Sequence, residues 1–401
     1  MTPASAAKPI IIAGAGPVGL FAAVLLVNAG YRVIVLEKNR GLPLDMRAST
    51  FHPATLDLLA HCGLAEPLVA RGSITQGWQY MVHGTKKHAV FDLESISDLT
   101  DHPYRLQCEQ FHFTNIAVER LLKNPLFEIR FGHQLQEVCD SDEEVLLKVS
   151  GSGGEYLLRT PWLIAADGSR SLVRKQLGLA FEGSVFPRTL ITLVLNHPFQ
   201  DDIPGLLGVN YVWTETGYYS LMQIRDLWRL SYSPDQDQSV EEALSEPIAQ
   251  AHVQAVFPRS RPYELLQKNY YTLQQRCLES FRHGHILFAG DAAHLNSPSG
   301  GMGMNSGLHD AQCLVQHLVP VLQGGDDALL NRYSRRRRTI ALDEVQRLSA
   351  RNHRWHRETN QEKRLDIWSE LQEIVNDSDK RREFLLNSSM IRSRQIELEI
   401  D

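Results

Sequence analysis

Four short stretches of this chain hold residues whose types and spacing could do chemistry. The first is Ala13-Gly14-Ala15-Gly16-Pro17-Val18-Gly19, set between the apolar run Ile10-Ile11-Ile12 and a long apolar stretch, with Val33-Ile34-Val35-Leu36-Glu37 beyond. Gly-x-Gly-x-x-Gly between a strand and a helix, with an acid closing the next strand, suits a dinucleotide. Gly14 permits the tight turn, Gly16 lets a pyrophosphate approach the backbone, and Gly19 lets helix and strand pack closely. Pro17 fits the first helical turn, where its missing N–H is no loss. The first helical N–H groups face the phosphates, and Glu37 stands where a ribose would offer its hydroxyls.

The second stretch is Ala166-Asp167-Gly168-Ser169-Arg170-Ser171-Leu172-Val173-Arg174, after the apolar Leu163-Ile164-Ala165. Asp167 can accept from ribityl or ribose hydroxyls, Gly168 admits a cofactor backbone, and the arginines favour phosphate. An ordinary Asp-Gly turn would look the same locally. The third repeats the logic: Ile286-Leu287-Phe288-Ala289 leads into Gly290-Asp291-Ala292-Ala293-His294. The fourth, Pro298-Ser299-Gly300-Gly301-Met302-Gly303-Met304-Asn305, is a glycine-rich turn opening a helix. Its free N–H groups and positive dipole end suit a developing anion such as the pyrimidine edge of a reduced flavin.

These motifs need particular elements beneath them. Residues 9–31 carry no charge and follow Lys8, so a membrane span or signal peptide is the competing reading. Pro17 and the strand after it favour the nucleotide fold. Ser49 to Leu59 reads as a helix, 74–106 as a turn-rich β excursion, and Phe111 to Leu122 as a helix. Phe127–Phe131 and Val145–Val149 read as strands. Leu190–Leu195, Val209–Trp213, Tyr218–Ile224 and Trp228–Tyr232 look like neighbouring antiparallel strands. Glu241–Val256 reads as helical and Tyr270–Leu278 as extended. The chain after Met304 is helical with a break at Gly324-Gly325-Asp326.

With 401 residues the chain exceeds one comfortable core. Hydrophobic residues at 43% and charged residues at 22% are those of an ordinary globular enzyme. A net charge of −6 argues against a general affinity for nucleic acid. Arg335 to Arg338 therefore read as a solvated or ion-paired helix face. Cys62, Cys108, Cys139, Cys277 and Cys313 are scattered without a Cys-x-x-Cys pair, which points to a reducing cytoplasm and excludes a local redox disulfide. No His-x-x-x-His with nearby carboxylates occurs among the histidines, so no metal is expected.

In order and spacing, the Gly14–Gly19 turn, Asp167-Gly168 and Gly290-Asp291 resemble the flavoprotein monooxygenases of the para-hydroxybenzoate hydroxylase type, over essentially the whole length. The resemblance implies FAD, with Glu37 on the adenosine ribose and Asp291 on the ribityl chain. It also implies that Arg47 and Gln110 touch the cofactor, with Gln107 a competing register for the latter, and that Asp167-Gly168 serves FAD and nicotinamide alike. Gly301, Gly303, Met304 and Asn305 would then face the flavin, with Pro298 beside the substrate. The chemistry implied is hydride transfer from NADH or NADPH, a flavin hydroperoxide formed with O2, and oxygen transfer to a small phenolic or heteroaromatic ring. A second nucleotide fold is absent, as is usual there.

The rest is less specific. His294 could be catalytic or a structural hydrogen-bond partner. Tyr211, Trp213, Tyr218, Tyr219 and Trp228 lie on the β-rich segment expected over the flavin, and alternation turns about half of them away. Arg225 and Arg229 could clamp a substrate carboxylate or be plain turn arginines. The expected architecture is α/β: a discontinuous Rossmann-like FAD-binding domain at 1–75, 100–182 and 278–323, an antiparallel β-sheet substrate domain at 76–99 and 183–277, and a helical region at 324–401. Ending near residue 400, the chain is expected to lack the thioredoxin-like domain of phenol-hydroxylase relatives, and a homodimer is allowed. A halogenase is disfavoured because Gly-Trp-x-Trp-x-Ile-Pro is missing. An epoxidase, a reductase or dehydrogenase, and a non-enzymatic flavin-binding interaction module stay open.

Overall fold

The computed structural model describes residues 8–44, 48–141, 143–215, 217–234 and 238–401. Arg47 lies outside the described residues. A six-stranded sheet carries the first motif. Its order is Arg282–His283, Ile286–Phe288, Leu163–Ala165, Ile10–Ala13, Val33–Glu37, Phe127–Phe131, and only the Arg282–His283 edge is antiparallel. The inner strands read Ile-Ile-Ile-Ala and Val-Ile-Val-Leu because a parallel sheet is buried on both faces, here by helices and by the three-stranded sheet Gln134–Asp140, Val145–Gly151, Gly154–Thr160, whose Leu135, Val145, Leu147 and Val149 join the same core. The Pro17–Asn28 helix is apolar nearly all round because it is wedged between this sheet and the helices Gln110–Leu121 and Met302–Leu322. Burial inside the protein thus explains the uncharged stretch. No helix among the described residues is long and apolar enough to cross a membrane.

An eight-stranded sheet stands over the carboxyl edge of the first. Its order is His294–Leu295, Leu265–Cys277, Glu182–Leu195, Leu227–Tyr232, Tyr218–Ile224, Val209–Trp213, Gly77–Val82, His88–Asp92. All neighbours are antiparallel except Val209–Trp213 with Gly77–Val82. Alternation along its strands serves two cores. Val212, Tyr219 and Leu221 face the helix Glu246–Val256, whereas Val209 and Trp213 join Trp78, Phe91, Trp355 and Phe384 under the C-terminal helices. Those helices run Ala328–Thr339, a π-helical turn Ile340–Gln346, Arg347–Arg357, Gln361–Asn376, Ser378–Ser388 and Ile391–Glu399. The fold is thus α/β, with a Rossmann-like parallel half, an antiparallel sheet and a helical C-terminus.

Local boundaries differ where turn chemistry outweighs periodicity. The expected helix from Ser49 starts instead at Pro53, because Thr50–Phe51 pairs as a strand with Arg105–Gln107. The expected helix Glu241–Val256 is two, Val240–Ala243 and Glu246–Val256, since Ser239 caps the first through a capping box and Pro247 restarts the second.

Candidate active site

A cavity of about 810 Å³ lies between the carboxyl edge of the parallel sheet and the antiparallel sheet. The strand ends Ala13, Leu36, Glu37, Ala166 and Ala289 open onto it, the usual position for a ligand of such sheets. At Gly14 φ is +103°, and a Cβ there would sit 2.4 Å from the Ala166 carbonyl oxygen. The two nucleotide loops are therefore pressed together, and only glycine fits. Gly16 is the opposite case: nothing lies within 4 Å of where its Cβ would be, so the helix start is an open cradle. Gly19 does not line the cavity; its Cβ would lie 2.1 Å from the Gly14 oxygen, so it acts through packing.

Glu37 is buried and braces the loop. Its Oε2 accepts from the Ala15 N–H at 2.9 Å, and its Oε1 accepts from the Asn39 backbone and Nδ2 at 2.9 and 2.7 Å. Asp167 Oδ2 accepts the Leu172 and Val173 N–H groups at 2.7 and 3.3 Å. Its Oδ1 is buried with no partner, and burial pushes the carboxyl up against the pull of Ser171 and the backbone. An orphaned acceptor beside an open glycine cradle fits the hydroxyl and phosphate groups of a dinucleotide. Of the basic residues in this loop, Arg174 donates to the Ala292 and Ser169 carbonyls, while Arg170 and Lys175 line the cavity.

The helix Met302–Leu322 opens at Gly301 (φ +69°), and Gly301, Gly303 and Met304 line the cavity together with Pro298 and Asp291. Gly290 sits behind them, its N–H donating to Asp310 Oδ2 at 2.9 Å. Asn305 is buried and does not line the cavity. Its Oδ1 accepts from the His52 N–H at 3.0 Å, and its Nδ2 donates to the Thr50 and Gly301 oxygens, tying the glycine turn to the Thr50–Phe51 strand. Gln110 lines the cavity, whereas Gln107 is buried with its Oε1 taken by the Thr50 hydroxyl at 2.8 Å.

His294 is not at the cavity. It is buried beside Phe281, with Nε2 2.7 Å from Asp310 Oδ2. Asp310 also accepts from Arg337 Nε at 2.6 Å, and Arg337 Nη1 meets Glu397 at 2.8 Å. Burial alone would raise the Asp310 carboxyl, but His294 and Arg337 outweigh it and hold it well below the usual range. Arg337 is thus fully buried, an ion-paired member of the Arg335–Arg338 run.

The aromatic residues divide by face. Tyr211, with Tyr218, Ser220 and Met222, lines the cavity. Tyr219 points to the opposite core, its hydroxyl 3.0 Å from His83 Nδ1. Trp213 shares the Tyr211 face but lies beyond the cavity, donating from Nε1 to the Trp355 carbonyl at 2.9 Å. Arg225 occupies a hairpin turn at φ +54° and stays outside, while Arg229 lines the cavity and donates to Ser49 Oγ at 2.8 Å. Residues absent from the sequence reading also line this end: Arg105 from the short Arg105–Gln107 strand, and His356 and Arg357 from the last turn of the helix Arg347–Arg357.

One His/Cys/carboxylate grouping occurs among the described residues, Cys108, Glu109 and His112, with ligand atoms within 4.8 Å. Burial pushes the Cys108 thiol up to about 12, and Arg71 and Arg225 stand close to both Cys108 and His112, a setting unfavourable to a cation.

The cavity has two chemically distinct ends, one lined by the glycine turns and carboxylates and one by aromatic and cationic side chains. That combination defines a flavoprotein of the FAD-binding α/β class. The FAD binding domain family matches residues 7–348, and the chain belongs to it. Para-nitrophenol 4-monooxygenase of Pseudomonas sp. (strain WBC-3) is 31% identical over 393 residues, 96% of either chain. The 6-hydroxy-3-succinoylpyridine 3-monooxygenase HspB of Pseudomonas putida (strain DSM 28022 / S16) is 30% identical over 340 residues, 83% of this chain and 85% of that one. The crystal structure of p-nitrophenol 4-monooxygenase PnpA from Pseudomonas putida DLL-E4 superposes with a TM-score of 0.89 at 31% identity, covering 95% of this chain and 97% of that one. The protein is an FAD-dependent, NAD(P)H-driven aromatic monooxygenase.

Proposed function

We propose that this monooxygenase hydroxylates a small single-ring phenol or hydroxypyridine, held between the Pro298–Gly303 turn and the Tyr211/Tyr218 face of the antiparallel sheet. The carrying observation is the division of the cavity. Among the described residues its lining carboxylates, Glu37, Asp167 and Asp291, stand on the side of the glycine motifs, and aromatic and cationic side chains form the other end. The relatives named for nitrophenol and hydroxypyridine oxidation support a ring of that size.

When bound, FAD supplies hydride acceptance from NAD(P)H and oxygen activation. The chain's part is to bind, orient and exclude water. Gly14, Gly16 and Pro17 hold the pyrophosphate at the helix start, Glu37 accepts from the adenosine ribose, and Asp167 and Asp291 accept hydroxyls further along. The Gly301–Met304 N–H groups stabilise negative charge at the ring edge. Gln110 lies beside the cofactor and Pro298 beside the substrate. His294 holds Asp310, and through it the Gly290–Asp291 loop, so its part is positioning. The domain division at 1–75, 100–182 and 278–323 against 76–99 and 183–277, with helices from 324, is part of this reading. So are a homodimer and a cytoplasmic location, the latter supported by five free cysteines. The test is substrate-stimulated NAD(P)H oxidation under isotopically labelled O2. The expected product carries one labelled oxygen on the ring; oxygen from water, or a merely dehydrogenated product, overturns the reading.

A further inference from the structure

We propose that Arg105, Tyr211 and His356 form an anion subsite at the aromatic end of the cavity, so that the ring is taken up as an anion, with its negatively charged oxygen against Arg105. The inference rests on the reading of that end as the substrate site.

Arg105 is 3% exposed, yet no ion pair reaches it among the described residues, and its Nε is buried without a partner. Its guanidinium carbon lies 3.6 Å from the centroid of Trp78, which backs it and does not itself line the cavity. The phenol groups of Tyr211 and Tyr80 are its polar neighbours, and burial pushes the Tyr80 hydroxyl far up. A buried cation without a counter-charge is costly. Here the open side of the guanidinium is the cavity, so the missing charge can arrive with the ligand.

Two further groups converge on the same place. The His356 ring is stacked on Tyr211 at 4.1 Å, with Tyr218 at 5.9 Å on a nearly parallel plane. His356 is buried, its Nε2 has no partner, and burial with His353 and Arg357 nearby lowers it to about 3. It is therefore neutral and, with hydrogen on Nε2, a donor rather than a second fixed charge. Arg357 also lines this end, and among the described residues no carboxylate does. The resulting field favours a phenolate or a ring carboxylate over a neutral arene. It also favours the ionised form of a phenol, the form with the greater electron density for attack on an electrophilic oxygen.

The test uses the FAD holoenzyme and two probes of the same ring size, 4-nitrophenolate and its neutral methyl ether 4-nitroanisole. Binding is read by calorimetry and by the change in flavin absorbance, without turnover. Wild type is expected to bind the phenolate at least about tenfold more tightly than the ether, with affinity rising with pH through the probe's own ionisation and flat for the ether. Arg105→Met should lose about 30-fold on the phenolate and little on the ether, with FAD retained, and Arg105→Lys should lose less. Equal binding of both probes by wild type, no binding of the phenolate, or an unchanged phenolate affinity in Arg105→Met overturns the proposal. Should Arg105→Met fail to fold, the wild-type pair and Arg105→Lys decide. Labelled oxygen judges the hydroxylase reading separately: ring labelling without anion preference removes only the subsite, and anion preference without ring labelling removes only the hydroxylation.

Discussion

The two ends of the cavity solve opposite problems with opposite materials. The nucleotide end is backbone and carboxylate: Gly14 and Gly16 make room, and Glu37, Asp167 and Asp291 line it. Every feature there lies within a few residues of a strand end. The aromatic end is side chain and cation, assembled from Arg105 on a three-residue strand, Tyr211 and Tyr218 on a sheet, and His356 on a helix. A cofactor shared by a whole family can be met by local geometry, because a pyrophosphate needs only N–H groups and space. A substrate ring needs walls from several directions, and these come from distant parts of the chain.

The comparison breaks most completely at Gly16. A valine there would fill the cradle, and FAD affinity should fall by at least about a hundredfold, giving colourless protein by absorbance. Asp291→Ala should weaken FAD by about 1.5–3 kcal/mol, tenfold or more, measured by fluorescence titration of the apoprotein. An unchanged affinity would remove Asp291 from the cofactor site.

A smaller effect separates the ends by pH. His52, whose Nε2 lies 2.9 Å from the Gly300 oxygen, is lowered to about 3, first by burial and then by Arg105. A histidine held neutral in the fold but ordinary when unfolded binds its proton only in the unfolded state between pH 6.5 and about 3. Stability is therefore full above that window and falls as pH drops through it, by about 1.4 kcal/mol per pH unit. Melting temperatures from pH 7 to 5 should decline less steeply in His52→Gln than in wild type. Parallel slopes would contradict the burial argument.

The smallest effect tests the faces of the sheet. Tyr219→Phe should cost about 0.5–1.5 kcal/mol of stability for its bond to His83 and leave KM unchanged, whereas Tyr211→Phe should raise KM for a phenolic substrate. The reverse result would mean that strand alternation has been read the wrong way round.

Much of the nucleotide end was legible in the sequence, because the spacing of Gly14, Gly16, Gly19 and Glu37 is itself a description of strand, turn, helix and strand. The aromatic end was legible only as a set of candidates. Tyr218 and Tyr219 are adjacent and opposite, and nothing local says which faces in; pairing of Tyr219 with Val212 and Tyr232 decides it. His294 invited a catalytic reading because it follows Gly290-Asp291. Its partner Asp310 lies one helix later, and only packing of that helix against the strand shows a buried ion network instead.

The sequence by itself determined the class of cofactor and the α/β frame, since both rest on short-range backbone geometry that glycines, prolines and apolar runs specify residue by residue. Tertiary structure decided which side chains share the ring pocket. Arg105, Tyr211 and His356 are separated by about a hundred residues or more at each step, and their meeting depends on strand register and on where the C-terminal helices dock. A buried guanidinium facing a cavity has no signature in one dimension, because burial and the lack of a partner are properties of the packed molecule.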